Sequence, residues 1–251
     1  MEQFIISSEE QWYTIPQEKE DNFRRLIGEN RRGMVNNIRF FVNNSNEIRL
    51  IGTFLKKDTQ AFFHAEYRSG RYWQIPDTIE NLIWTFKNDV TPFPERLPAV
   101  QQRLSEILRE DLPEILRQIR KNNFTVCVVP RAKAENYYRA DQLLFRQVIS
   151  NVVDQLPNFE NGTNYIVRHT NTRTTHLDRN GQGGDGNLPY PGITNDTCTI
   201  SDHVKGKDIL LIDDLYTKSV NIDEDAIQAL IDKGANSVIF YSVGKTVLPN
   251  Q

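Results

Sequence analysis

The sequence is poor in cysteine and has no long hydrophobic run, and both absences narrow the classes of protein it can belong to. Its 251 residues include 2 cysteines, Cys127 and Cys198, too few for a disulfide framework or a cysteine-ligated zinc site. No apolar run approaches the roughly 20 residues that span a bilayer, and the first residues lack the basic and apolar regions of a secretion signal. We therefore expect a cytoplasmic protein that keeps its thiols reduced and does not enter a membrane.

An excess of charge of one sign is also missing. The 30 Lys and Arg residues nearly balance the 33 Asp and Glu residues, which leaves a formal net charge of -3. This balance argues against broad attraction to nucleic acid, so we do not expect direct nucleic-acid binding. The 4 histidines are scattered without the spacing of metal ligands, which argues against a structural metal.

Residues 1–76 are predicted to form a small strand-rich segment. Residues 36–42, 47–55 and 60–67 mix β-branched, aromatic and polar side chains, and the turn clusters NNSN and KKDT separate them. This pattern predicts an antiparallel meander, and its side chains indicate no chemistry.

Residues 77–251 are predicted to form a second unit of the α/β class. Apolar side chains at helical spacing predict one helix over 77–87, with Asp77 as its N-cap, and another along 100–119. From residue 124 strands alternate with helices, which predicts a parallel sheet flanked by helices. The strands are predicted at 124–129, 164–168, 208–212 and 237–243, and the helices at 141–153 and 222–233.

Polar and acidic side chains follow the apolar strand DILLI at the point where ligands bind in open parallel sheets. Asp213 and Asp214 are suited to hold ribose hydroxyls or the hydration shell of Mg²⁺, because both prefer oxygen ligands. The loop after them leads into a helix whose N-terminus favours an anion. The residues predicted to bind phosphate there are Thr217, Lys218, Ser219, Val220 and Asn221. The alternative is an ordinary strand-end turn with solvated acids and helix-capping side chains.

Basic residues follow other predicted strands. Arg131 and Lys133 come after the strand at 124–129 and are suited to a pyrophosphate, although they are equally compatible with solvated side chains. Lys245 follows the last predicted strand and is equally compatible with a ligand contact and with an ordinary surface lysine. The long polar stretch 171–203 is either disordered or a functional loop. Three arginines are candidates to hold an anion when such a loop closes. They are Arg168, at the end of the preceding strand, and Arg173 and Arg179, within the polar stretch.

The segment ILLIDDLYTKSVNIDEDAIQALIDKGANSVIFYSV resembles the 5-phosphoribosyl-1-pyrophosphate (PRPP) motif of type I phosphoribosyltransferases. The closest pattern is that of the ComF-like branch. Three more segments are similar to that branch in the same order: ENLIWTFKND, VCVVPRAKAENYYRADQLL and YIVRHTNTRTTHLDRN. The resemblance spans about residues 77 to 246.

The resemblance implies a type I phosphoribosyltransferase fold and an exchange of the pyrophosphate of PRPP for a nitrogen nucleophile, with Mg²⁺ as cofactor. Asp213 and Asp214 would then be the catalytic residues, orienting the ribose and meeting Mg²⁺ directly or through the pyrophosphate. The loop 217–221 would hold the 5′-phosphate, and Arg131 and Lys133 the pyrophosphate. The arginines of 168–179 would belong to the mobile loop, called the hood, that closes over the site. In related transferases the end of the last strand lies beside the acceptor base, which implies that Lys245 is on the base side of the site.

Two departures from the family pattern leave the function open. Ser219 stands where the family loop has a glycine that lets backbone approach the phosphate. The zinc ribbon that often opens ComF-like proteins is replaced by the strand-rich segment, which suggests a changed protein partner or role. Three hypotheses follow: an active phosphoribosyltransferase, a regulatory or effector module that binds PRPP or a nucleotide without turnover, and an enzyme that cleaves the N-glycosidic bond of a nucleotide.

Overall fold

Strands without a polar face organise the fold, because such strands must be covered on both sides. All 5 positions of the strand Phe124–Val128 are buried. The computed structural model describes residues 1–8, 15, 17–35, 38–51, 55–68, 70–89, 93–174, 192–194, 197–218 and 221–247.

Six strands of this part of the chain form one mostly parallel sheet. They are β1 Glu2–Ile6, β5 Thr59–Tyr67, β6 Phe124–Val128, β7 Phe159–Asn161, β10 Asp208–Tyr216 and β11 Ser237–Thr246. Their order in the sheet is β1-β5-β11-β10-β6-β7. The strand β1 is antiparallel to β5, and the other neighbours are parallel.

Helices cover both faces of this sheet, as the alternation of strands and helices predicts. The helices that pack on this sheet are α2 Ile79–Lys87, α3 Leu97–Ile119, α4 Leu144–Val153 and α5 Ile222–Asp232. The helix α1 Gln17–Ile27 packs elsewhere, in a cluster with Phe40 and Leu50. Apolar residues of α2, α3 and α4 pack in one core with Leu210 and Ile212 of β10. Those of α5 pack in a second core with Ile209 and Leu211, whose side chains point to the other face. The predicted α/β class, with a parallel sheet flanked by helices, is confirmed.

The chain leaves the neighbouring strands β6 and β10 in opposite directions. The helix α4 leads from β6 to β7 on one side, and α5 leads from β10 to β11 on the other. The two helices also lie on opposite faces of the sheet. The β6–β10 pair is therefore a topological switch point, where the carboxyl ends of the strands border a crevice.

Two smaller antiparallel sheets flank the large one in the described residues. One has the order β2-β3-β4, with β2 Arg32–Val35, β3 Ile38–Val42 and β4 Ile48–Ile51. The other pairs β8 Ile166–Arg168 with β9 Cys198–Ile200. The segment 164–168 was predicted as a strand of the parallel sheet. That placement is wrong, because β7 takes the position beside β6 and β8 pairs only with β9.

The predicted N-terminal meander is wrong in its third strand. The strand β5 does not pair with β4 but lies between β1 and β11 in the large sheet. Ala61, Phe62 and Phe63 are all buried, so β5 requires cover on both faces, which a small meander would not provide. Residues 1–76 thus contribute strands to the large sheet and to the sheet β2-β3-β4. The predicted boundary after residue 76 does not coincide with an edge of the large sheet.

Two element ends also differ from prediction. The N-cap of α2 is Thr78, whose side chain accepts a hydrogen bond from the Asn81 amide, and not Asp77. Asp77 has φ of 64°, a left-handed conformation that turns the chain before the helix begins. The strand β10 does not stop at Ile212 but continues to Tyr216, because β11 supplies backbone partners as far as Lys245.

In the described part of the chain, no helix is both long enough and apolar enough to cross a membrane.

Candidate functional site

Asp213 and Asp214 lie inside β10, at its carboxyl-terminal half, where neighbouring side chains of an extended strand point to opposite faces. The carboxyl group of Asp213 hydrogen-bonds to that of Asp223 in the first turn of α5. The Oδ2 atom of Asp214 lies 3.2 Å from Nζ of Lys87, the last residue of α2, on the other face. The two carboxylates, expected together on one pentose, are therefore directed to different partners.

The Asp214–Lys87 ion pair is half-buried at the edge of the sheet, with 19% and 25% of the two side chains exposed. Burial disfavours the charged form of Lys87, but the carboxylates of Asp214 and Asp213 outweigh it and raise the pKa of Lys87. Lys87 therefore keeps its charge at neutral pH, and part of each side chain of the pair remains exposed.

Asp213 and Asp223 form a carboxyl pair that retains a proton. Burial and the nearby Asp214 carboxylate raise the pKa of Asp213 to about 7. Burial and the charge of Asp213 raise the pKa of Asp223 well above its usual range. Since two ionised carboxylates cannot hydrogen-bond to each other, this contact requires a proton on at least one of the two groups.

The loop between β10 and α5 holds three described members of the predicted phosphate site. The hydroxyl oxygens of Thr217 and Thr246 lie 2.7 Å apart, which joins the ends of β10 and β11. Lys218 is exposed, and Asn221 has φ of 58° at the start of α5. Ser219 and Val220 lie outside the described residues.

Carboxylates already occupy the N-terminal turn of α5. Asp223, Glu224 and Asp225 are each 3–4% exposed, and the hydroxyl of Tyr216 donates to Oε1 of Glu224 at 3.0 Å. Acidic side chains stabilise the positive end of a helix, and they also compete with an anion for it. The sequence predicted the loop and the helix but not this competition.

Arg131, predicted to bind pyrophosphate, makes its bonds within the protein. Its guanidinium donates to the carbonyl oxygens of Phe86, Lys87 and Gln142 at 3.3, 2.7 and 2.9 Å. It also pairs with the carboxylate of Asp89 and lies over the ring of Tyr138. Arg131 thereby fixes the carboxyl-terminal end of α2 against the loop that follows β6.

The other predicted basic residues occupy different surroundings. Nζ of Lys133 donates to the Thr172 carbonyl at 2.7 Å. Arg168 is 3% exposed and donates from Nε to the Arg131 carbonyl at 2.6 Å, and its burial lowers its pKa. Arg173 is half-buried, five residues past the end of β8, whereas Arg179 lies outside the described residues.

Lys245, the candidate for the base side, lies within β11 and not after it. Its ammonium is 5.2 Å from the ring centre of Phe4 and 5.0 Å from that of Phe63. Phe4 belongs to β1, so the N-terminal strand contributes to the surroundings of this lysine.

Sequence reasoning missed Lys87, Asp223 and Tyr67. Lys87 lies in the segment ENLIWTFKND, but its position at a helix end gave no reason to pair it with a residue more than 100 positions away. Acids are ordinary in the first turn of a helix, so nothing distinguished Asp223. Tyr67 ends β5 near Lys87 and Asp214. Burial is the main cause that raises the pKa of Tyr67, the charge of Lys87 lowers this pKa, and the charge of Asp214 raises it.

The described residues contain no group of three or more His, Cys, Asp or Glu side chains placed to hold a metal ion. The acids near the switch point are instead divided between Lys87 and the carboxyl pair.

No model of a known protein family matches this chain, and a search of curated proteins gives no match either.

Proposed function

We propose that this chain is a phosphoribosyltransferase-like protein that binds PRPP or a related phosphorylated nucleotide at the carboxyl ends of β6 and β10. One observation supports this assignment above the others. The half-buried Asp214–Lys87 pair lies beside the topological switch point, where an open α/β sheet offers a crevice to a ligand.

The two charges of this pair suit the two ends of a sugar phosphate. A carboxylate accepts hydrogen bonds from ribose hydroxyls, and an ammonium attracts a phosphate or pyrophosphate oxygen. Because Lys87 and Asp214 are 25% and 19% exposed, a ligand reaches them without unfolding the edge of the sheet. Binding would replace part of their mutual attraction by contacts with the ligand.

In the proposed reaction, the pyrophosphate on the anomeric carbon of PRPP is exchanged for a base or another amine. The transition state resembles an oxocarbenium ion, so the work of the protein is positioning and charge stabilisation. Asp214 would orient the ribose, and Lys87 would stabilise the departing charge. Mg²⁺ would be held mainly by pyrophosphate oxygens, because this ion usually binds proteins through one or two carboxylates together with substrate phosphates.

The bonds of Arg131 favour a second candidate function, a module that binds a nucleotide without turnover. Its donors are directed to three carbonyl oxygens and to Asp89. Stabilising a leaving pyrophosphate would require these bonds to break. A module that only binds the ligand has no such requirement.

Thermal shift and product assays with PRPP, Mg²⁺ and a panel of bases test both candidates. We expect PRPP to stabilise the wild-type chain by mass action, and we expect Asp214→Asn and Lys87→Met each to weaken binding about tenfold or more. The matched control is Asp208→Asn. Asp208 is equally exposed, at 19%, and pairs with Lys121 at the amino end of the same strand.

The outcomes separate the candidates. Stabilisation with product formation supports the transferase, and stabilisation without product supports the binding module. If PRPP and nucleotides leave the unfolding temperature unchanged, or if Asp208→Asn weakens binding as much as Asp214→Asn, the site assignment is wrong.

A further inference from the structure

Four planar side chains form a continuous stack at the surface beside α2. The rings of Trp84 and Trp73 are 5.1 Å apart and nearly parallel, at 21°. Phe93 lies 5.9 Å from Trp73, and the guanidinium of Arg96 lies 4.2 Å above Phe93. We refer to Trp84, Trp73, Phe93 and Arg96 as the aromatic stack.

The aromatic stack is half-buried rather than part of a core. None of its three aromatic residues belongs to the buried clusters on either face of the sheet, and 34% of the Arg96 side chain is exposed. Beside it, Tyr72 and Ile75 are 43% and 50% exposed. Stacked indoles that remain open to solvent provide a surface for another planar ring.

One polar atom in the stack has no partner in the part of the chain that the structure describes. Nη1 of Arg96 is buried, and no described residue accepts a hydrogen bond from it. The guanidinium lies at the Phe93 end of the aromatic stack and also faces the carboxylate of Glu95 at 3.8 Å. The opposite end of the stack is Trp84.

The aromatic stack borders the proposed site along α2. Trp84 and Lys87 are three residues apart on this helix, so their side chains are neighbours on its surface. Both are half-buried, whereas the residues between them, Thr85 and Phe86, are buried. A ligand that reaches Lys87 and Asp214 thus meets the indole of Trp84 about one helical turn away.

We propose that the aromatic stack binds the base of a nucleotide by stacking against Trp84, while Lys87 and Asp214 hold its sugar and phosphate. This inference rests on the proposed function for the sugar-phosphate half of the ligand. A nucleotide is the ligand class that combines a planar heteroaromatic ring with an anionic sugar phosphate. The assignment makes Trp84 a specificity residue that distinguishes nucleotides from PRPP.

Binding of three probes to the full chain tests the inference: PRPP with Mg²⁺, nucleoside 5′-monophosphates and unphosphorylated nucleosides. Calorimetry gives the affinities, and quenching of tryptophan fluorescence reports a ring stacked on an indole. We expect Trp84→Leu to weaken monophosphate binding about tenfold and to leave PRPP binding unchanged. Trp84→Phe keeps a ring and should retain most of the affinity.

The control is Phe41→Leu, which changes an aromatic side chain that is 39% exposed on the small sheet β2-β3-β4. Thermal unfolding of each variant separates lost binding from lost folding. The inference is overturned if Trp84→Leu weakens PRPP and monophosphates equally, or if Phe41→Leu has the same effect. Binding of neither monophosphates nor nucleosides by the wild type also overturns it.

The two proposals fail in distinguishable ways. If PRPP does not bind but nucleosides bind with quenching that Trp84→Leu abolishes, the proposed phosphoribosyl chemistry is wrong and the base subsite stands. If PRPP binds and no probe depends on Trp84, the base subsite is wrong and the sugar-phosphate site stands.

Discussion

At the scale of single residues, the carboxyl pair of Asp213 and Asp223 links protonation to the integrity of the sheet edge. The two groups belong to different elements, β10 and α5, and they hydrogen-bond only while one of them is protonated. Within the described part of the chain, neither group forms an ion pair such as that of Asp214 with Lys87. Their contact is therefore sensitive to pH in a way that the ion pair is not.

This pair predicts a pH-dependent contribution to stability of defined sign. The pKa of Asp213 is about 7 in the folded chain against an ordinary value of 3.8, so the folded state binds the proton more tightly than the unfolded state. The contribution is complete below about pH 4 and is lost as the pH rises through about 7. Asp213→Asn should remove this pH-dependent loss in the free energy of unfolding. The loss is on the order of 2 kcal/mol, a value reduced because solvent at the edge of the sheet screens the charges.

Urea denaturation of the wild type and of Asp213→Asn at several pH values from 4 to 8 measures the difference. The control is Glu114→Gln, because Arg117 and Gln118 lower the pKa of this exposed acid to about 2. Glu114 stays ionised in the folded chain throughout the window, whereas in the unfolded chain it titrates near 4.5. Its variant should therefore differ from the wild type by a constant amount above about pH 6. A constant difference for Asp213→Asn as well would contradict the protonated pair.

At the scale of elements, Arg131 ties the end of α2 to the loop after β6. The last carbonyl groups of a helix lack partners within the helix, and Arg131 satisfies those of Phe86 and Lys87. The same guanidinium neutralises Asp89, which is 13% exposed. Since Lys87 ends α2, this bond network also positions the ammonium that faces Asp214.

We predict that Arg131→Ala costs about 2–4 kcal/mol in the free energy of unfolding, because it leaves a half-buried carboxylate and helix carbonyls without their donor. The double variant with Asp89→Asn should cost less than the sum of the two single changes, since both remove the same interaction. Chemical denaturation of the four chains in this cycle measures the coupling.

Arg117→Ala is the matched control for this cycle. Arg117 also pairs with an acid, Glu114, but 73% of its side chain is exposed. An exposed pair within one helix contributes little, so we expect no measurable change in the free energy of unfolding. Strict additivity of Arg131→Ala and Asp89→Asn would show that the two side chains do not act together.

At the scale of the whole molecule, the large sheet includes strands from both sides of residue 76. The strand β11 is paired with β5 along six residues and with β10 on its other side. Phe62 and Ala61 of β5 are fully buried in the cores on the two faces. Residues 1–76 are therefore part of the framework that supports the proposed site.

A chain that starts at residue 77 should consequently fail to form a stable fold. Removing β1 and β5 would expose one edge of β11 and the apolar side chains that cover both cores, which is a loss larger than the net stability of a typical domain. Circular dichroism and urea denaturation of residues 77–251 test this expectation. A cooperative transition as stable as that of the full chain would instead support an independent domain after residue 76.

The sequence by itself determined the class of the fold and the identity of most elements. Local periodicity is sufficient for this purpose, since a buried strand such as 124–128 and an amphipathic helix such as α3 differ in the spacing of their apolar residues. The loop after β10 and its position at the carboxyl edge of the sheet also followed from the order of strands and helices.

Only the tertiary structure decided which residues meet. The pairing of β5 with β11, the contact of Lys87 with Asp214 and the bonds of Arg131 join positions that are far apart along the chain. Such contacts depend on how elements pack and on how far a strand extends, which a neighbouring strand controls. The division of Asp213 and Asp214 between two faces followed from β11 supplying backbone partners to β10 beyond Ile212.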